Sequence, residues 1–328
     1  MTAVILLASS LVYAGIALLK AAGMLLLLPA QAAWGAPPPP SYQGRVFLIL
    51  GASGGLGKDM ALQAAERGAT LVLAARRIEQ LEAVAEECRQ RGAEVHALQV
   101  DVAKEQDTQR CIDFVREKHG KLDLLILNAA IPGPWAPIDQ LKDYSVLRTM
   151  MDINYWGYVT PTIQALPLLK QSQGTILVVS SMYGLFLAPF QAGYAATKHA
   201  INGFFAVLQQ ELLPHNVTLH IHFPGGILTE VQSKFQTSAG ETRHLGLPAA
   251  FLGDSAACAA DMLAQYDAGQ AGPGAAWGAG AVPRGTLQYY PAYVGLAALV
   301  RNIFPGLFDW GFHFLTRFYF ESGVIELG

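Results

Sequence analysis

The sequence predicts an α/β protein, a single doubly wound parallel sheet with helices on both faces. Short apolar runs alternate with stretches of helical periodicity through the middle of the chain. Buried parallel strands read as unbroken apolar runs, and strict alternation places the helices across the sheet faces. The first run ends in a glycine-rich turn that opens the first helical stretch. The two ends of the chain are more apolar than the middle and stand outside this pattern, as an N-terminal anchor and an apolar C-terminal helical tail.

Residues 45–50 (RVFLIL) form the first strand and residues 56–67 the first helix, which Gly68 stops. Residues 70–75 (TLVLAA) are the second strand; residues 78–91 repeat apolar positions at helical spacing until Gly92. Residues 94–100, 122–128, 174–180 and 217–223 supply the third to sixth strands, with helical stretches between them. Right-handed crossovers follow from the chirality of the chain. Residues 254–266 read as a helix, and the Gly- and Ala-rich stretch 267–285 as a surface insertion. The chain therefore divides into a hydrophobic anchor (1–36), a Pro-rich spacer (37–43), an α/β domain (44–288) and an apolar tail (289–328).

Composition narrows the function. The 328 residues carry a formal charge of −3, 52% apolar and 14% charged residues, and no basic tract, so nothing favours nucleic acid as a partner. Cys88, Cys111 and Cys258 are widely spaced and suggest neither a disulfide framework nor a zinc site. The eight histidines show no metal-ligand spacing, and no metal is expected; His220 and His222 alternate along the sixth strand in structural roles. Residues 1–36 hold Lys20 and no Asp, Glu or Arg. About 20 apolar residues span a bilayer, so length favours an uncleaved membrane anchor over a signal peptide cleaved near "AQA" at 30–32. The run "PPPP" then makes a stiff spacer.

The turn "GASGGLG" at 51–57 joins the first strand to the first helix. Glycine permits a tight turn and close approach of a ligand, and a helix N-terminus offers free N–H groups to a pyrophosphate. Gly51, Ser53, Gly55, Leu56 and Gly57 are thus candidate dinucleotide contacts. The second strand ends in Arg76 and Arg77 rather than an acidic residue, a pair suited to a 2′-phosphate and therefore to NADP(H). Tyr194 and Lys198, four residues apart, share a helix face, where a cation could lower the tyrosine pKa. Ser180 and Ser181 close the fifth strand beside the expected cofactor crevice.

These pieces, with "DV" at 101–102, "LNAA" at 127–130, "MDINYWG" around Asn154, "YAATK" and "PGGILT" at 224–229, resemble the short-chain dehydrogenase/reductase family over residues 42–229. The resemblance implies a Rossmann-type sheet and an NADP(H)-dependent oxidoreductase. It implies that Ser181 orients the substrate oxygen, that Tyr194 is the general acid/base, that Lys198 lowers its pKa and holds the nicotinamide ribose, and that Asn154 supports a proton path. It places Asp101 and Val102 beside the adenine, Asn128 and Ala129 along the cleft, and Ile227 and Thr229 at the carboxamide. Leu50, Leu127 and Ala130 depart from the family pattern, and Gly54 removes a basic residue that some NADP(H)-dependent members carry.

Within the family the chain resembles membrane-anchored 11β-hydroxysteroid dehydrogenases and the plant steroleosins. That implies a lipophilic substrate, a steroid first and a retinoid or fatty alcohol second. It also implies a membrane location, the endoplasmic reticulum or, alternatively, a lipid droplet, and a homodimer. A non-catalytic membrane scaffold is the competing reading. Residues 182–193 would wall the substrate site and residues 230–251 would form its lid. The side of the membrane stays open: Lys20 and Arg45 lean cytosolic and the resemblance leans lumenal, and the sequon at 216–218 would be used only if the domain faces a lumen.

Overall fold

The computed structural model describes residues 39–186, 190–227, 234–236, 242–244, 252–270 and 287–290. The expected anchor, residues 271–285 of the insertion and the tail beyond Tyr290 lie outside the described residues. Among the described residues no helix is long and apolar enough to cross a membrane.

The chain alternates as expected: β1 (Val46–Leu50), α1 (Gly55–Glu66), β2 (Thr70–Ala75), α2 (Ile78–Gln90), β3 (Val95–Gln99), α3 (Glu105–His119) and β4 (Leu124–Leu127). Next come α4 (Ser145–Met151), a π turn (Asp152–Trp156), α5 (Gly157–Ser172), β5 (Thr175–Val179), α6 (Ala192–Leu212) and β6 (Thr218–Pro224). Two short pairs follow: β7 (Gly226–Ile227) with β10 (Leu252–Gly253), and β8 (Lys234–Gln236) with β9 (Thr242–His244). The last elements are α7 (Ser255–Gln270) and β11 (Leu287–Tyr290).

The main sheet is parallel, in the order β11-β6-β5-β4-β1-β2-β3. Six strands are expected from the sequence and seven are present. The seventh, β11, pairs with β6 and crosses the expected domain–tail boundary at 288/289. Each inner strand buries both faces, so one side of every strand packs under each helical layer. Phe47 and Ile49 of β1 join a core with Met60, Ala64, Leu81, Met262 and Tyr266. Leu48 and Leu50 join the opposite core with Ile112, Val115, Leu168, Ile201 and Phe205. Full burial of one such side chain stabilises by about 1.5–3 kcal/mol, and this alternation holds both helical layers to one sheet.

Two expected boundaries move for a packing reason. Tyr42, assigned to the spacer, is 2% exposed and rests on Phe47 and Tyr266. Asp267, assigned to the surface insertion, lies inside α7, which runs on to Gln270. Asp267 accepts a hydrogen bond from the Tyr42 hydroxyl at 2.9 Å and two from Arg67 at 2.7 Å. Arg67 itself lies 3.6 Å over the Tyr42 ring. The domain thus begins earlier and its last helix ends later than apolar patterning alone implies.

Candidate active site

The sheet order reverses between β1 and β4, so the loops after these strands diverge and leave a crevice at their carboxyl ends. The turn after β1 occupies it. Gly51 has φ +88°, and a Cβ there would lie 2.7 Å from the Ala129 backbone. A Cβ on Gly57 would lie 2.3 Å from the Gly51 carbonyl oxygen and 2.7 Å from Asn128 Nδ2. Asn128 Nδ2 donates to that same carbonyl at 2.8 Å, tying the β4 loop to the turn. Gly51 and Gly57 are therefore packing requirements, whereas Gly54 borders open space, with only Arg77 Nη2 at 3.9 Å.

Helix α1 starts at this open space with no side-chain cap and no acidic residue in its first turn. Its free N–H groups suit an anion. Arg77 Nη2 donates to Ser53 Oγ at 3.0 Å, which brings a guanidinium over the turn. Arg76 is exposed beside it, its carbonyl held by Gln99 Nε2 at 3.1 Å. Leu56 packs against the core beneath. Lys58 faces away, paired with Glu87 at 2.7 Å. These groups fit a phosphorylated dinucleotide: Gly54 leaves room, α1 and the arginines supply the charge. Val102 is buried, and Asp101 is half-buried, its backbone N–H bonded to Asp107. Ile227 is fully buried, and Thr229 lies outside the described residues.

The reacting groups come from β5, α6 and the π turn. Ser181 follows β5, is 7% exposed, and accepts from the Tyr183 N–H at 3.2 Å. Lys198, 1% exposed, donates to the Val179 carbonyl at 2.9 Å, with its Nζ 5.6 Å from the Tyr194 ring centroid and 5.1 Å from that of Tyr158. Burial pushes the Tyr194 hydroxyl up to about 12, a rise that its hydrogen bond with Ser181 opposes. Burial pushes the Lys198 ammonium down to about 7. Among the protein groups alone desolvation dominates both shifts.

Asn154 comes from the π turn. It is fully buried; its Oδ1 accepts from Ile131 N at 2.8 Å, and its Nδ2 donates to Ile131 O at 2.9 Å and Thr197 Oγ1 at 3.2 Å. Both amide hydrogens are engaged, so the side chain braces the β4 loop against α6. The π turn around it is the local irregularity that aims this side chain inward.

The sequence reading misses several supports. Asn202 accepts from Ser180 Oγ at 2.6 Å and donates to the Gly184 carbonyl at 2.9 Å, fixing the turn after Ser181. Tyr194, Lys198 and Asn202 recur every four residues on α6, a periodicity that extends the tyrosine–lysine face by one turn. Tyr158 donates to the Val179 carbonyl at 3.2 Å, sharing it with Lys198. Beside Tyr194 is a small recess of about 10 Å³ lined by Pro134, Leu141, Leu147, Met150, Phe190 and Gly193. Trp135 stacks edge-on with Tyr183 and Tyr183 with Tyr194, centroids 6.4 and 5.8 Å apart. Of the expected wall at 182–193, Phe190, Ala192 and Gly193 line this recess together with the β4–α4 loop and α4; residues 187–189 and most of the expected lid lie outside the described residues. A separate recess of about 410 Å³ by Val102, Glu105, Asp152, Trp156 and Gln164 holds none of the reacting groups, Ser181, Tyr194 and Lys198.

The profile of the short chain dehydrogenase family matches residues 45–240. The 11-beta-hydroxysteroid dehydrogenase A of Sesamum indicum is 40% identical over 200 residues, covering 60% of this chain and 57% of its own length. The hydroxysteroid 11-beta-dehydrogenase 1-like protein of Danio rerio is 34% identical over 281 residues, covering 84% of this chain and 89% of its own. Among solved structures, an alcohol dehydrogenase of the archaeon Thermococcus sibiricus, complexed with 5-hydroxy-NADP, superposes with a TM-score of 0.59 at 27% identity over 67% of this chain and 89% of its own. The fold, the glycine turn and these matches agree, and the chain belongs to the short-chain dehydrogenase family of NAD(P)(H)-dependent oxidoreductases.

Proposed function

We propose that the protein interconverts a hydroxyl and a ketone on a lipophilic substrate, a steroid in the first instance, with NADP(H) as coenzyme. The observation that carries this reading is the convergence of Ser181, at the end of β5, with Tyr194 and Lys198 on α6: Ser181 is hydrogen-bonded to Tyr194, and the Lys198 ammonium lies 5.6 Å from the Tyr194 ring centroid. The bound coenzyme supplies or accepts the hydride. Ser181 and Tyr194 hold the substrate oxygen. In the reducing direction Tyr194 gives its hydroxyl proton to that oxygen, and in the oxidising direction it takes the proton back. The high Tyr194 pKa suits the proton-donor form, and Lys198 carries the charge that stabilises the tyrosinate once the proton has left.

Arg77 over Ser53, with Arg76 alongside and no acid at the end of β2, supports NADP(H) over NAD(H). The names of the Sesamum and Danio relatives favour a steroid-like substrate. The composition of residues 1–36 supports membrane anchoring, in the endoplasmic reticulum or on a lipid droplet.

The test is turnover of the full-length chain in detergent with NADPH or NADH against steroid, retinoid and fatty ketones. Steroid turnover with NADPH is expected, falling by a factor of about 10²–10⁴ in Tyr194→Phe while NADPH still binds. Turnover that survives Tyr194→Phe refutes the mechanism. NADPH binding with turnover of retinoid or fatty ketones alone moves the substrate class, and binding without turnover of any class favours a scaffold.

A further inference from the structure

At the far end of the sheet from the glycine turn, Glu94 and His96 sit at the start of the edge strand β3, and His119 is the last residue of α3. Positions i and i+2 of an extended segment share a face, which turns Glu94 and His96 toward the same side. His96 Nε2 lies 3.0 Å from Glu94 Oε1. The His96 and His119 rings have centroids 5.3 Å apart, and Phe114 packs edge-on to His96 at 5.2 Å. One ligand atom from each of Glu94, His96 and His119 lies within 4.8 Å of the other two. The His119 Nε2 atom is buried and has no hydrogen-bond partner among the described residues.

We infer that Glu94, His96 and His119 form a zinc-class divalent metal site that staples the edge strand to the end of α3. Two imidazoles and a carboxylate are a common three-ligand set for Zn²⁺, leaving a fourth position for water. Bonds of about 2.0–2.1 Å in a tetrahedron set ligand atoms roughly 3.4 Å apart, so the present triangle, within 4.8 Å, closes with contractions of at most about 1.4 Å. The orphaned His119 nitrogen gains a ligand bond in place of a missing hydrogen bond. The carboxyl end of α3 adds negative potential, which opposes the positive charge of Lys118 and Lys121 nearby. Hard cations such as Mg²⁺ prefer oxygen ligands and should not compete.

The experiment is a titration of the full-length protein with Zn²⁺ against a chromophoric chelator, repeated for His96→Ala, His119→Ala and the control His215→Ala. One equivalent is expected to bind and to raise Tm, at least tenfold more weakly in either ligand variant and unchanged in His215→Ala. Co²⁺ should give the visible spectrum of a four-coordinate ion, lost in Glu94→Gln, a variant that preserves side-chain shape should an alanine variant misfold. Mg²⁺ should neither bind nor shift Tm. Equal Zn²⁺ affinity in all four proteins, or no binding by the parent protein at micromolar Zn²⁺, overturns the site.

Discussion

His220 and His222 lie two residues apart on β6 and are both fully buried. His222 receives a hydrogen bond at its Nδ1 from Gln265 at 2.7 Å, with Cys258 Sγ and Asp261 Oδ2 each 3.8 Å from its Nε2. Neither ring nitrogen of His220 has a partner among the described residues. Burial lowers their pKa values to about 4 and about 3 respectively. An unfolded chain takes up these protons near the ordinary value of ~6.5, before the folded state does. The contribution to stability is therefore present above that value and is lost as pH falls toward 4. His220→Leu removes one of these protons and one orphaned N–H. It is expected to stabilise by on the order of 1 kcal/mol at neutral pH and to flatten the acid limb of a Tm-against-pH curve. An acid limb as steep as the parent's would show that His220 does not titrate on unfolding.

At the scale of elements, the turn from β1 to α1 and helix α6 do most of the positioning. The turn tolerates no side chain at Gly57, because backbone oxygen Gly51 O and the Asn128 amide fill that space. Gly57→Ala should cost about 1–3 kcal/mol and weaken NADPH binding at least tenfold, measured by urea unfolding and coenzyme fluorescence. Gly203, inside α6, meets nothing within 4 Å of an added Cβ. Gly203→Ala should instead stabilise by about 0.5–1 kcal/mol with coenzyme affinity unchanged. Matching losses in both variants would mean that helix entropy, not the close approach in the turn, governs Gly57. On α6, Asn202 anchors the Ser181 turn while Tyr194 and Lys198 face the crevice, so one helix face sets the separation of all the reacting groups.

Across the whole molecule, the beginning and end of the described domain are clasped together. Tyr42, Arg67 and Asp267 join the segment before β1, the end of α1 and α7. The side chains of Arg67 and Asp267 are 13% and 19% exposed, so solvent screens their attraction only in part. Asp267→Ala leaves a largely buried guanidinium and a phenol without their acceptor and should cost roughly 2–4 kcal/mol. The clasp lies at the amino-end side of β1, away from the crevice, so turnover at low temperature should stay within a factor of two of the parent. A loss of turnover without a loss of stability would show that the clasp reaches the site.

The sequence by itself determined the sheet's six inner and edge strands from β1 to β6, the glycine turn, and the Ser181, Tyr194 and Lys198 set. Those features depend on local periodicity and on fixed short spacings, which survive in one dimension. Tertiary structure alone decided the rest. Strand β11 has no apolar signature long enough to stand out, and it becomes a strand by pairing with β6. Tyr42 and Asp267 enter the domain because each is the other's partner across more than two hundred residues. The bracing of the β4 loop by Asn154 depends on Ile131 and Thr197, which engage both of its amide hydrogens. The direction of the Tyr194 shift likewise depends on burial, which no spacing of residues encodes.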